Sequence, residues 1–460
     1  MNNHENLSIK DIKKLYKKYF NSGQVSLLSK LSFSNETILR AKGCYLFTKN
    51  GEKIFDMTSG FGTQNLGYND KEIANARIEF IKNENLPFSR LFFDKNIALL
   101  SQKISSLLPG ELQYSFFSNS GAEANEGALK LAYKYHLGKR TLLLHNKNSF
   151  HGKLIATSQI TDSPEVYFKF QEALNSIAVD FNNIEEFKKS IEENKTNIYA
   201  IILEPFSASL ADSISLENLL EIQRICNQED ILVIYDEVYS GFFRTGELFY
   251  FLSQNNLIPD IVTYSKSFGG GISSISGYTA KKEIFLKSYG NQKDALLHSS
   301  TYSNYVEEVA IALKTLEIIS QQEFILQIEK SKKQFQDSIF ELNDIKTIET
   351  ITGQGFHFGI KMKKQELSSI QKLINIIPLD ITKDERFFDK LYISAIINEL
   401  YFEYKILSYA GFNKEIKLIV SPPVIINSEE IDFVNKSLRN VLSQKPLTLI
   451  SKFIKNYLIK

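Results

Sequence analysis

Between residues 114 and 266 the chain repeatedly delivers a short, nearly unbroken apolar run followed by a helical segment. The runs are YSFFS at 114–118, TLLLH at 141–145, YAIILEP at 199–205, ILVIYDEV at 231–238 and DIVTYSK at 260–266. Strands apolar on both faces must be covered on both faces, and intervening helices supply the cover. The pattern therefore dictates an α/β domain built on a mostly parallel sheet. Ahead of it, residues 8–20 carry apolar side chains at helical spacing, and 44–58 alternate as a hairpin around Asn50-Gly51. Past about 325 the order changes to a long helical stretch, GQGFHFGIKM at 353–362, further helix and EIKLIVSPPVII at 415–426, as in a smaller α+β domain. The expected division is an N-terminal segment over 1–70, a large domain over 71–325 and a small C-terminal domain over 326–460. The basic amphipathic tail at 447–460 is expected to pack on its own domain, the alternative being a membrane or a partner helix.

Charge and cysteine usage narrow the function classes. The chain carries 54 Lys and Arg against 53 Asp and Glu, a formal charge of +1, which provides no field for nucleic acid or an anionic membrane. Two cysteines, Cys44 and Cys226, are too few for a disulfide framework or a thiolate metal site, and the scattered histidines include no pair at metal-ligand spacing. No apolar run approaches the ~20 residues that span a bilayer, and the opening MNNHENLSIKDIKKLYKK has no apolar signal segment. A cytoplasmic protein acting on small molecules, without metal, is the expectation.

Four clusters carry the chemistry. In SNSGAEANEGALKLAYKYH, 118–136, Ser120 and Glu123 form a capping box that starts a helix at Gly121 or Ala122, leaving backbone N–H groups free for a phosphate. NSFHGK, 148–153, sets Phe150 after a strand, where an aromatic ring can lie against a planar cofactor. ILVIYDEVYSGFFRTGE, 231–247, brings Asp236 and Glu237 to the carboxyl edge of the sheet, where α/β folds place ligands. DIVTYSKSFGGGISSISGY, 260–278, brings Lys266 to the same edge, followed by three glycines that let the backbone approach a bulky ligand. Each cluster taken singly also fits a plain structural role; their order and combination decide.

Together these motifs resemble the class III (ω-) aminotransferases among the fold-type I pyridoxal-5′-phosphate (PLP) enzymes, over about residues 35–435. LQYSFFSNSGAEANEGALKLA is most similar to the putrescine, or diamine, type. The resemblance implies a large domain with a mostly parallel seven-stranded sheet and a smaller C-terminal α+β domain. It implies that Lys266 holds PLP as a Schiff base and then acts as general base, and that Asp236 pairs with the pyridinium nitrogen. Gly121 and Ala122, with Ser120 alongside, would bind the phosphate, Phe150 and Val238 would flank the ring, and His151 and Glu204 would stand beside it. Tyr239, where the family usually has glutamine, would donate through its hydroxyl. Thr301 would reach the phosphate of a neighbouring subunit, which implies a homodimer with shared sites.

Two departures bear on the substrate. Many members carry a glutamate and an arginine that together gate an α-carboxylate; here those positions hold Ser209 and Ile419. Lys417, Arg90 and Arg244 are alternative carboxylate anchors, left unranked. The pocket is expected from 60–66, with Phe61, from 86–93, and from the Tyr239/Phe243 region. The leading expectation is ping-pong amino transfer between a primary, terminal amine and an aldehyde or keto acceptor. A racemase, aminomutase, decarboxylase or lyase is the alternative, and a non-catalytic scaffold a third.

Overall fold

All five apolar runs become strands of one sheet. The computed structural model describes residues 7–458 except 30, 164–165, 171–172, 255 and 365–385. The polar opening, 1–6, the end of the tail, 459–460, and part of the expected C-terminal domain, 365–385, therefore lie outside the described residues. The seven-stranded sheet runs Leu112–Ser118, Ser276–Lys281, Ile261–Tyr264, Leu232–Asp236, Ile198–Leu203, Leu142–Asn146 and Ser176–Val179. The pairings from Ile261–Tyr264 through to Ser176–Val179 are parallel, and Ser276–Lys281 runs antiparallel to both of its neighbours. The central strands are buried throughout because helices such as Gly121–Tyr135 and Leu216–Gln228 cover them. Ser276–Lys281 reads poorly as a strand, since Ser-Gly-Tyr-Thr-Ala-Lys has no apolar run; pairing on both sides makes it one.

The hairpin around Asn50-Gly51 is present as Tyr45–Thr48 and Lys53–Asp56. Its inner strand pairs in parallel with Ile406–Leu407, tying the start of the chain to the C-terminal part. That part holds a four-stranded sheet, Ile348–Gln354, His357–Met362, Ile416–Val420 and Tyr409–Phe412. The helix expected over 8–20 is Ile9–Leu15 continued by a wider turn, Tyr16–Phe20, and none of its residues is buried. The tail helix, Pro446–Leu458, packs on the helix Phe387–Tyr404 with Leu449 and Ile450 buried, which is the packing expected of it. No helix among the described residues is long and apolar enough to cross a membrane.

Arg244 joins these parts and is fully buried. Its Nη1 donates to the carbonyls of Phe356, at 3.2 Å, and Pro422, at 2.7 Å; its Nη2 donates to Ser59 Oγ, at 2.7 Å, and to Asn65 Oδ1. This corrects the sequence reading of Arg244 as a substrate anchor: four acceptors already hold it, and they come from both ends of the chain. Replacing it with methionine keeps the bulk but strands those acceptors. The expected cost is about 3 kcal/mol or more, read as a lowered urea midpoint of the cofactor-free protein. An unchanged midpoint with a raised substrate KM would restore Arg244 to the pocket.

Candidate active site

The ends of the parallel strands bring the chemistry together. Asp236 is the last residue of its strand and is buried. Its Oδ2 accepts from Asn125 Nδ2 at 2.7 Å and lies 2.7 Å from His151 Nδ1. A carboxylate only accepts, so His151 Nδ1 carries the proton, and the buried Nε2 has no hydrogen-bond partner among the described residues. Asn125 Oδ1 accepts in turn from Thr263 on the adjacent strand, at 2.6 Å. Oδ1 of Asp236 accepts the Val238 N–H, at 3.0 Å, which leaves it a further lone pair for a cationic group.

Lys266 follows the neighbouring strand, two residues past Tyr264, and adopts a left-handed conformation with φ 51°. Such backbone costs of order 1–3 kcal/mol away from glycine and is characteristic of functional sites. Burial lowers its pKa, Asp236 and Glu204 oppose the shift, and Arg244 adds to it. A lowered pKa makes the neutral, nucleophilic amine more accessible.

The Gly121–Tyr135 helix starts where the sequence placed it. Ser120 Oγ accepts the Glu123 N–H at 3.3 Å, but the Glu123 carboxylate reaches back to the N–H of Asn119, at 3.1 Å, one residue earlier than in a standard capping box. A Cβ on Gly121 would sit 2.7 Å from Val238 Cγ1, so only glycine lets the helix end come this close to the strand loop. Gly121, Ala122, Phe150, His151, Glu204, Asp236, Val238, Tyr239 and Lys266 all line one cavity of about 660 Å³. A second cavity of about 440 Å³ adjoins it, lined by Ser120, Gly121 and Lys266 on the side of Gly271 to Ile275.

This donor set fits PLP: an amine for its aldehyde, a carboxylate with a free lone pair for its ring nitrogen, a helix N-terminus for its phosphate and a flat aromatic for its ring.

Phe61 stands at the cavity with an exposed ring, 5.0 Å from that of Tyr409. Ser59, Gly60 and Phe61 are successively left-handed, with φ of 52°, 54° and 57°. Asp56 holds this turn by accepting the N–H groups of Thr58, at 2.8 Å, and Gly60, at 3.0 Å, while Tyr68 donates to it at 2.8 Å.

Tyr239, Lys417 and Arg90 are engaged otherwise than the sequence suggested. Tyr239 lines the cavity, but its hydroxyl is engaged by protein groups, 2.9 Å from His357 Nδ1 and 3.1 Å from both Tyr409 OH and Ser421 Oγ. Lys417 is buried, its ammonium donating to the Leu210 carbonyl at 2.8 Å and Thr352 Oγ1 at 3.0 Å; it does not line the cavity. Arg90 is exposed and donates to the Ser300 carbonyl. Thr301 is exposed and lines neither cavity of its own chain. Ser209 and Ile419 both lie against Gly411: a Cβ there would sit 2.5 Å from Ser209 O and 3.2 Å from Ile419 Cδ1. Sequence reasoning missed Asn125, although an asparagine within the first turns of a helix is itself a signal. It also missed Tyr409, His357 and Ser421, which carry no spacing signal.

The family model for "Aminotransferase class-III" matches residues 32–441. The chain belongs to this family. Among curated relatives it is 28% identical over 448 residues to "Aminotransferase PigE" of Serratia sp. (strain ATCC 39006), covering 91% of this chain but 51% of that one, so it spans about half the length of that relative. It is 29% identical over 416 residues to an acetylornithine aminotransferase of Bacillus cereus, covering 90% of this chain and 96% of the relative. The adenosylmethionine-8-amino-7-oxononanoate aminotransferase of Methanocaldococcus jannaschii shares the fold, with a TM-score of 0.81, 24% identity and coverage of 94% and 98%. Class III aminotransferases are PLP enzymes, in agreement with the donor set above.

Within this aminotransferase, Glu204 gives a pH signature. Burial raises its carboxyl to about 7; His151 and the Phe150 N–H, which it accepts at 2.9 Å, pull it down, and Asp236 pushes it up. A raised carboxyl pKa contributes stability that is complete below its unfolded value, near 4.5, and lost as pH rises through 7. The loss reaches about 3 kcal/mol at the upper end. Glu204→Gln in the cofactor-free protein should raise the urea midpoint at pH 8 and leave it unchanged at pH 4.5. Equal shifts at both values would contradict the burial argument.

Proposed function

We propose that this aminotransferase moves an amino group between a primary amine on an apolar chain and an aldehyde or ketone, in two half-reactions at the Lys266–Asp236 site. The observation that supports the substrate class is that no arginine is among the described residues lining the cavity, whose cations are Lys153 and Lys266. At Gly411 in its wall, the flanking groups are Ser209 and Ile419, and Asn413 donates to Ser209 Oγ at 2.7 Å. Phe61, Tyr409, Ala410 and Gly411 also line the cavity, and this part of its wall suits a hydrocarbon chain better than an α-carboxylate.

PLP, when bound, supplies the carbonyl that takes up and returns the nitrogen, and a ring that accepts electron density. The chain's residues supply the rest. Lys266 Nζ is the base that takes the proton from the substrate carbon and gives it back. Asp236, fixed by Asn125 and His151, would hold a cationic ring nitrogen without having to reorganise. The Gly121 and Ala122 N–H groups would hold the phosphate at the positive end of their helix. Phe150 and Val238 would flank the ring.

A homodimer with shared sites is part of this proposal. Phe88 packs near Tyr302, with ring centroids 6.4 Å apart, and Arg90 bonds the Ser300 carbonyl, so segments 88–93 and 296–302 form one surface. Leu91, Phe92, Phe93, Leu296 and Tyr302 are exposed on it, beside Thr301. An apolar patch of this kind marks an association surface. The free, buried Cys44 and Cys226 fit a reducing, cytoplasmic setting.

The test is the half-reaction of the PLP-loaded protein, offered glutamate, alanine, putrescine or a long-chain primary amine in separate cuvettes and followed by the cofactor's visible absorption. The amines are expected to discharge the band at least about tenfold faster than glutamate, as the loss of a buried ion pair to a carboxylate would give. Glutamate reacting as fast as the best amine would overturn the substrate class. Sedimentation of the same sample should report a dimer, and a monomer of full activity would remove the shared site.

A further inference from the structure

One buried cluster has no part in the chemistry above. Tyr239 follows the Leu232–Asp236 strand by three residues, and both ends of its side chain are engaged. The ring faces the Lys266 amine, whose Nζ lies 4.9 Å from the ring centroid. The hydroxyl meets His357, Tyr409 and Ser421, at 2.9, 3.1 and 3.1 Å. All three belong to the C-terminal sheet: His357 opens one strand, Tyr409 opens a second, and Ser421 follows the end of a third.

The partners of His357 fix its tautomer. His357 Nε2 lies 2.9 Å from the Ala208 carbonyl, which only accepts, so Nε2 carries a proton. Burial, with Arg244 nearby, pushes the His357 pKa down to about 3, so the ring is neutral and Nδ1 is an acceptor. Nδ1 has one lone pair, which a hydroxyl of Tyr239 or Ser421 fills; the two oxygens lie 2.9 and 3.0 Å away. The Tyr239 hydroxyl is thereby committed to a buried, neutral network and cannot turn into the cavity without stranding its partners.

The near side is equally closed. A Cβ on Gly62, which has φ +86°, would sit 2.9 Å from Tyr239 Cε2 and 3.2 Å from Lys266 Cδ. The Gly62 backbone therefore presses on the ring and on the lysine stem together. A cation is attracted to the face of such a ring, and more so when both are shielded from water. The ring is a platform for the amine, and the C-terminal sheet fixes the height of that platform.

We propose that Tyr239 is a positioning residue that sets the place of the Lys266 amine and couples it to the C-terminal sheet through His357, Tyr409 and Ser421. The proposal rests on the reading of Lys266 as the residue that takes PLP. A shift of the C-terminal sheet against the parallel sheet reaches the amine through this side chain.

Tyr239→Phe keeps the ring and removes its anchor. Two readouts test it. The first is the rate at which Lys266 captures added PLP in the cofactor-free protein, read by borohydride reduction and peptide mass. The second is the split between kcat and KM with the best amine. Capture and kcat are expected to fall about tenfold, since a small misplacement of a reacting group is enough for that, while KM stays within about twofold. Ser421→Ala, which removes one anchor and leaves Tyr239 in place, should give a smaller change in the same direction. Unchanged capture and kcat in Tyr239→Phe would overturn the proposal. So would a loss confined to KM, which would make Tyr239 a substrate contact. Should Tyr239→Phe fail to fold, Ser421→Ala and His357→Gln carry the same two readouts, and unchanged capture in both overturns it. A wild-type chain not labelled at Lys266 would sink the cofactor reading instead, so the two failures are distinguishable.

Discussion

The site depends on one buried carboxylate. Asp236 ends a strand that is apolar on both faces, so its charge is carried to the sheet edge by residues that offer it nothing polar. Compensation comes from elsewhere: the Asn125 amide from the Gly121 helix, the His151 imidazole from the loop after Leu142–Asn146, and the Val238 N–H from its own turn. Leaving a buried charge unpaired costs several kcal/mol. The helix, the loop and the strand ends are therefore fixed relative to one another by the need to satisfy this group. Thr263, bonding to Asn125, extends the same requirement to the strand that delivers Lys266. The carboxylate and the amine of the active site are set by one network rather than by two independent motifs.

Around that network the structure stores strain and buried charge where function needs rigid placement. Lys266 is left-handed, and so are the three residues ending at Phe61. Asp56 and Arg244 hold the second turn from opposite sides, and Arg244 also reaches Phe356 and Pro422. An exposed phenylalanine in left-handed backbone has little burial to stabilise it. Its conformation is explained by the groups that clamp the turn beneath it.

Much of this was legible in the sequence, and the part that was not follows a physical pattern. The five apolar runs, the cap at Ser120 and the arrival of Lys266 and Asp236 at one edge follow from periodicity and from local backbone rules. Those signals lie within a single strand or helix start. Side-chain direction does not. Tyr239 could be placed near the cofactor from its position after Asp236, but the fate of its hydroxyl depends on His357, Tyr409 and Ser421, more than a hundred residues away. Arg244 and Lys417 looked like carboxylate anchors because cations near a pocket often are. The structure commits both to backbone carbonyls, a demand that only long-range packing creates. Ser276–Lys281 was invisible for the same reason, since its strand character comes from its two neighbours.

The central claim is that the Lys266 amine, placed against Asp236, is where PLP is held. Borohydride reduction of the PLP-treated protein, followed by peptide mass analysis, tests it most directly. The expected result is one reduced adduct, on the peptide carrying Lys266, absent in Lys266→Ala and much weakened in Asp236→Ala. An adduct on another lysine, or equal labelling in Lys266→Ala, would contradict the account.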